Sequence, residues 1–200
     1  MLGAFVLLLV VVAYRVASGF LGSADFQWMH NFAPVAAIAL CGAVRLPRRA
    51  AVALPLAMLF VSDVILNVFH YHQPLFTREA LLEILPRYVA LAFISGIGFA
   101  LRGRARLPNL IAASIAGSVI FYLITNTGSW ISDAGYTKDF AGWAQALTTG
   151  LPGYPPTWWF SRNTLLSDVC FTLLFAACMA LQPGKPAAPQ KVKANELVPW

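Results

Sequence analysis

Acidic residues are scarce in this chain: eight Asp and Glu stand against fourteen Lys and Arg in 200 residues, and charged side chains make up only 11% of the total. A soluble domain carries about 25% charged residues, so this composition excludes an ordinary water-wetted globule. The 59% hydrophobic content and mean hydropathy of +0.69 point to lipid as the main solvent. Cysteine is sparse too. Cys41, Cys170 and Cys178 lie in apolar stretches without C-x-x-C spacing, which argues against a disulfide framework or a zinc site and leaves them as small core residues. No G-x-x-x-x-G-K-[ST] phosphate loop occurs, so ATP hydrolysis by that route is excluded. There is no H-E-x-x-H, and His70 and His72, two apart, point to different sides of a helix; no metal or other cofactor is expected. No nucleophile stands beside a base, so no enzyme is expected. The net charge of +6 would suit nucleic acid, but the basic residues form short clusters between apolar runs, which membrane topology explains better.

What is present is a series of long apolar runs. A helix needs about 20 residues to cross the hydrocarbon layer, and six segments approach that length: 2–20, 31–44, 50–69, 85–101, 107–126 and 163–181. The expected fold is therefore an all-α integral membrane protein, a six-transmembrane-helix bundle over residues 1–181. Pro34 falls in the first turn of the second segment, where a missing N–H costs least. Residues 127–162 form a loop rich in aromatic side chains, and residues 182–200, with four prolines and three lysines, form a disordered tail. Nine of the fourteen basic residues fall on one side of the bundle: Arg45, Arg48, Arg49, Arg102, Arg104, Arg106, Lys185, Lys191 and Lys193. The positive-inside bias makes that side, and with it both termini, cytoplasmic. A cleaved signal peptide over the first segment is the rival reading, since Gly22-Ser23-Ala24 resembles a cleavage site, although no basic residue precedes the apolar run.

Each ionisable residue inside the membrane is a functional hypothesis, with structural pairing as its alternative. Arg15, Asp63 and Asp168 lie within the apolar segments. Asp63 and Asn67 are four apart and share a helix face. Ser118, Tyr122, Thr125 and Asn126 run along one side of the fifth segment, and Arg162 and Asn163 stand at the mouth of the sixth. With the orientation above, these groups gather in the half facing away from the cytoplasm, the layout of a cavity open to the outside. The loop aromatics Trp130, Tyr136, Phe140, Trp143, Tyr154, Trp158 and Trp159 read either as an interfacial belt or as a lid over a flat ligand. Small residues on the second segment, with Ala112, Ala113, Ala116 and Gly117 on the fifth, form faces that allow close helix packing inside the bundle or docking of a partner subunit.

The ordered set Asn31-Phe32-Ala33-Pro34, Ser62-Asp63, Gly117-Ser118, Thr125-Asn126 with Gly128 and Trp130, and Arg162-Asn163-Thr164-Leu165 with Asp168 resembles an uncharacterised bacterial family of small inner-membrane proteins assigned to transport. More distantly it is similar to the substrate-binding S components of energy-coupling factor (ECF) vitamin transporters. The likeness runs from about Arg15 to Leu181. It implies that Asn31, Asp63, Asn126, Trp130, Arg162, Asn163 and Asp168 are family positions, and that the protein sits in the bacterial inner (cytoplasmic) membrane. Cys41-Gly42-Ala43 stands where a Gly pair is usual, and the stretch before Arg162 is richer in Gly, Pro and Trp than the usual form.

The expected function is therefore a substrate-binding membrane subunit that captures a small water-soluble nutrient, such as a vitamin or its precursor, from the outer side. Asp63 and Asp168 would accept hydrogen bonds, Arg162 or Arg15 would pair with an anionic group, and Asn31 and Asn126 would orient the ligand. Asn67, Tyr122, Trp130 and Asn163 complete the expected site. Partners would be the bilayer, the small-molecule ligand and a transmembrane coupling subunit with ATPases. The alternatives are a proton-coupled secondary transporter using Asp63 or Asp168, and a non-transport membrane protein that helps to assemble another complex.

Overall fold

The computed structural model describes residues 9, 12–17, 20, 35–70, 72 and 76–180, and all regular structure among them is helical. Asn31, most of the first expected segment and the tail 182–200 lie outside the described residues. Residues 9, 12–17 and 20 are the described, helical residues of the first expected segment, α1. Helix α2 spans Val35–Arg45, α3 spans Arg48–Ile65 and runs into a π-helical turn at Leu66–His70, and α4 spans Arg78–Ala100. Helix α5 covers Leu107–Ser132, a short α6 covers Phe140–Leu147, and α7 covers Thr157–Ala180. Three stretches are long and apolar enough to cross a membrane: Arg48–His70, Ala80–Ala100 and Leu107–Ser132. The surface agrees with lipid contact. Phe60, Phe93, Leu123, Leu166 and Leu174 face outward, whereas Asp63, Ser118, Ser167, Asp168 and Thr172 are buried, the arrangement expected where hydrocarbon surrounds the bundle and polar groups must find partners within it.

Three helix boundaries differ from the hydropathy reading. Helix α4 starts at Arg78 rather than Leu85, because the Thr77 hydroxyl accepts the Ala80 N–H at 3.2 Å and opens the helix there; Arg78, Glu79 and Glu83 make its first turns read as loop. Helix α5 continues past Asn126 to Ser132 and ends where Lys138 Nζ donates to the carbonyls of Trp130 and Asp133 at its last turn. Helix α7 begins at Thr157, so the expected loop 127–162 holds the end of α5, all of α6 and the start of α7. Polar side chains at helix ends lower local hydropathy without breaking the helix, which is why the apolar runs are shorter than the helices.

Helix α2 is the centre of the bundle. It packs against α3, α4, α5 and α7, and Ala36, Ala37, Ala39, Leu40, Cys41, Ala43 and Val44 are all buried. Its alanines let neighbours approach closely, as small residues do between membrane helices. The core around it comprises Ala36, Ala39 and Leu40 with Leu59, Leu91, Ile94 and Ala113. Two glycines record how close the helices come. A Cβ placed on Gly98 of α4 would lie 2.6 Å from both the Ala43 Cβ and the Leu40 carbonyl oxygen, and one on Gly128 of α5 would collide with the Pro86 ring of α4. The small residues of α2 are thus consumed by packing within the chain; on α5, Ala113 and Gly117 are buried while Ala112 and Ala116 face outward.

Candidate functional site

The buried polar residues resolve into two networks and one cleft. In the first network Asp63, only 2% exposed, accepts from Arg15 at 2.8 Å and from Arg87 at 3.0 Å, both on Oδ1. Arg15 also donates to the Ser62 hydroxyl, and Ser62 in turn donates to the Leu59 carbonyl at 2.9 Å. The expected site holds Arg15 and Asp63 without pairing them and leaves out Arg87, which reaches across from α4 to α3. Two guanidiniums on one carboxylate tie α1, α3 and α4 together. Asn67 does not join them through its side chain: its amide donates to the Asp63 backbone carbonyl at 3.0 Å, within the π turn.

The second network closes the ends of α2. The N–H groups of a helix's first turn and the C=O groups of its last turn have no partner within the helix. At its N-terminal turn the Ala37 N–H donates to Asp168 Oδ1 at 2.9 Å, while Ser118 of α5 donates to Asp168 Oδ2 at 2.7 Å. At its C-terminal turn Arg102, in the turn after α4, donates to the carbonyls of Ala43 at 2.7 Å and Leu46 at 2.6 Å. A carboxylate at the N-terminus and a guanidinium at the C-terminus match the helix dipole at both ends. Asp168 thereby acts as an N-cap supplied from 131 residues away. One turn below, Thr172 donates to the Ser114 hydroxyl at 3.1 Å.

The cleft lies between α5 and the first turns of α7. It has a volume of ≈ 140 Å³ and is lined by Phe121, Tyr122, Thr125, Asn126 and Ser129 on one side and Thr157, Phe160, Ser161 and Thr164 on the other. Of the expected site residues, Tyr122 and Asn126 are here; Thr157, Ser161 and Ser129 are absent from the sequence reading, although their hydroxyls recur at helical spacing with Thr125 and Thr164. Helix α6 roofs this end of the bundle. Asp139 caps it, accepting the Gly142 N–H at 2.8 Å, and the same N–H together with the Thr137 hydroxyl holds the exposed Asp139 carboxyl below its ordinary range. Tyr122 donates to the Leu147 carbonyl, Trp143 Nε1 to Thr127 Oγ1 at 3.0 Å and Trp130 Nε1 to the Thr137 carbonyl at 2.8 Å. The loop aromatics therefore divide: Trp130, Tyr136 and Trp143 fasten inward, while Phe140, Tyr154, Trp158 and Trp159 are exposed.

Arg162 is exposed on α7 with its guanidinium carbon 5.9 Å from the Trp159 ring centroid, outside the cleft lining, and Asn163 is buried. The expected single cavity is thus distributed: Arg15 with Asp63, Asp168 with Ser118, and Tyr122 with Asn126 occupy separate settings. No group of three or more His, Cys, Asp or Glu residues suited to a metal ion occurs among the described residues.

No curated protein and no solved structure matches the chain. A family model matches residues 1–190, nearly the full length. The chain belongs to that family, described as a family of unknown function (DUF6580).

Proposed function

We propose that the chain is a six-span protein of the bacterial inner membrane with both termini in the cytoplasm, and that it captures a small water-soluble solute from the outer side in the cleft between α5 and α7. The observation that carries this reading is the cleft itself. It is a concavity of ≈ 140 Å³ with polar and aromatic walls, tied to the end of α6 through Tyr122, in a bundle where Asp63 and Asp168 are occupied in holding helices together. On this reading, as the sequence resemblance to S components implies, a separate coupling subunit and its ATPases would supply the energy. The volume bears on the ligand. At about 30 Å³ per water the cleft holds the equivalent of four or five waters, and it falls below the roughly 300 Å³ at which drug-sized pockets begin. A solute of a few heavy atoms fits better than a vitamin. Proton-coupled carriage has less support, since Asp63 is clamped by two arginines and Asp168 is committed to capping α2.

The test is a thermal-shift screen of the detergent-purified chain against vitamins, precursors, amino acids, nucleobases and smaller solutes, because a ligand bound only by the native state raises apparent stability. A saturable hit that disappears in Asn126→Leu supports capture in this cleft. Silence across the panel with folded protein removes the capture reading in favour of assembly of another complex.

A further inference from the structure

Five exposed arginines stand toward the end of the bundle opposite the cleft. Arg45 ends α2, Arg48 and Arg49 open α3, and Arg104 and Arg106 stand just before α5. Arg102 fastens the two basic loops to each other through the Ala43 and Leu46 carbonyls. None of the five exposed arginines forms a salt bridge among the described residues, and no acidic residue occurs from 35 to 62 or from 84 to 132. The backbone adds charge of the same sign. The first N–H groups of a helix have no intrahelical partner and carry its positive end. No side chain caps them on α3 or α5, and neither first turn holds an acid. Side chains and helix ends therefore both favour an anion here.

Beside these arginines lies a groove of ≈ 230 Å³ between the last turn of α2, the first turn of α5 and the later turns of α7. Val44, Leu107, Leu110 and Phe175 give it apolar walls, and the Arg45 side chain joins the lining. Ala105, between Arg104 and Arg106 in sequence, lines it too. Arg45 and Leu107 are exposed, so the groove opens to the surface. At about 30 Å³ per water it holds the equivalent of roughly seven or eight waters, room for part of one hydrocarbon chain. Apolar walls with a guanidinium among them match a molecule that joins such a chain to an anionic head. The positive-inside bias accounts for basic loops, but it requires neither a groove beside them nor arginine at every basic position from 35 to 132. Lysine would carry the same charge, whereas the arginine fork matches two phosphate oxygens at once. We infer that this groove is a binding site for an anionic phospholipid, one acyl chain lying against Val44, Leu110 and Phe175 and the headgroup phosphate held by Arg45 beside the first turn of α5.

The experiment is native mass spectrometry of the full chain released from micelles that contain equal amounts of dioleoyl phosphatidylglycerol and dioleoyl phosphatidylcholine, whose acyl chains are identical. The anionic lipid is retained at least about fivefold more than the zwitterionic one, and Arg45→Gln lowers that excess about fivefold, the share of one arginine near a phosphate. Arg78→Gln, which removes the same charge at the far end of α4, leaves the excess unchanged. Ala176→Phe fills the groove, keeps every arginine and lowers retention of the anionic lipid severalfold. Equal retention of the two lipids overturns the assignment, and so do equal losses in Arg45→Gln and Arg78→Gln, which would make the effect one of net charge. If sn-glycerol 3-phosphate displaces the lipid at equal concentration, the acyl chain contributes nothing and the groove is not a lipid site. A second copy of the chain retained in place of lipid, and lost in Ala176→Phe, makes the groove an interface between copies and overturns it too. Should Ala176→Phe fail to fold, the comparison of Arg45→Gln with Arg78→Gln still decides.

Discussion

At the scale of single residues, the two buried carboxylates have structural work to do. Asp63 neutralises charge between Arg15 and Arg87, and removing it leaves two guanidiniums facing each other in a partly buried setting. Breaking a buried ion pair by deleting one partner costs about 3–5 kcal/mol, so Asp63→Ala should lower unfolding stability by roughly that amount in a denaturation titration in micelles. A cost near zero would mean that the pairing is incidental. Asp168→Ala should cost about 1–3 kcal/mol, the penalty for an unsatisfied buried donor, and the loosened element should be α2: hydrogen exchange at Ala36 and Ala37 rises first. Uniform loosening across α7, with α2 unchanged, would contradict the capping role.

Among elements, close approach at glycine is what sets helix spacing. Gly98→Ala pushes a methyl group into the Leu40 carbonyl and Ala43, whereas a methyl group on Gly96, two residues away on the same helix, would meet nothing within 4 Å. Overpacking costs typically about 1–3 kcal/mol, so Gly98→Ala should destabilise the protein and Gly96→Ala should not, both read as midpoints of the same titration. Equal effects would remove the packing argument. Helix α6 responds to pH instead. The Asp139 carboxyl is held below its ordinary range by the Gly142 N–H and the Thr137 hydroxyl, so its stabilisation is complete above the unfolded-state range and is lost as pH falls through the depressed folded value. Amide exchange over residues 140–147 should therefore quicken on acidification below about pH 4, and Asp139→Ala should show that faster exchange already at neutral pH.

For the whole molecule, the proposal of six spans makes a topological prediction. With Cys41, Cys170 and Cys178 replaced by serine, a cysteine at Lys138 should react with an impermeant maleimide on intact cells. One at Arg104 should react only after the membrane is opened. Labelling of both positions from the same side would rule out the proposed orientation. The positive-inside bias behind this prediction is a property of whole loops, and no local contact substitutes for it.

Composition alone determined that the chain is helical and lipid-facing, because hydrocarbon admits no unpaired backbone and the apolar runs have the length that follows. Spacing alone placed Asp63 with Asn67 and Tyr122 with Asn126 on common faces. What spacing does not contain is the partner across the bundle. That Arg87 turns toward Asp63, that Arg102 leaves its basic cluster to close α2, and that Asp168 caps a helix far away in sequence are consequences of which helices are neighbours. Helix ends were illegible for a related reason: Thr77 and Lys138 complete α4 and α5 through hydrogen bonds that hydropathy does not register. The separation of one expected cavity into two networks and a cleft was likewise a tertiary decision. Most of the buried polar groups described take a donor or acceptor that packing across the bundle brings to them, and sequence spacing does not say which helix supplies it.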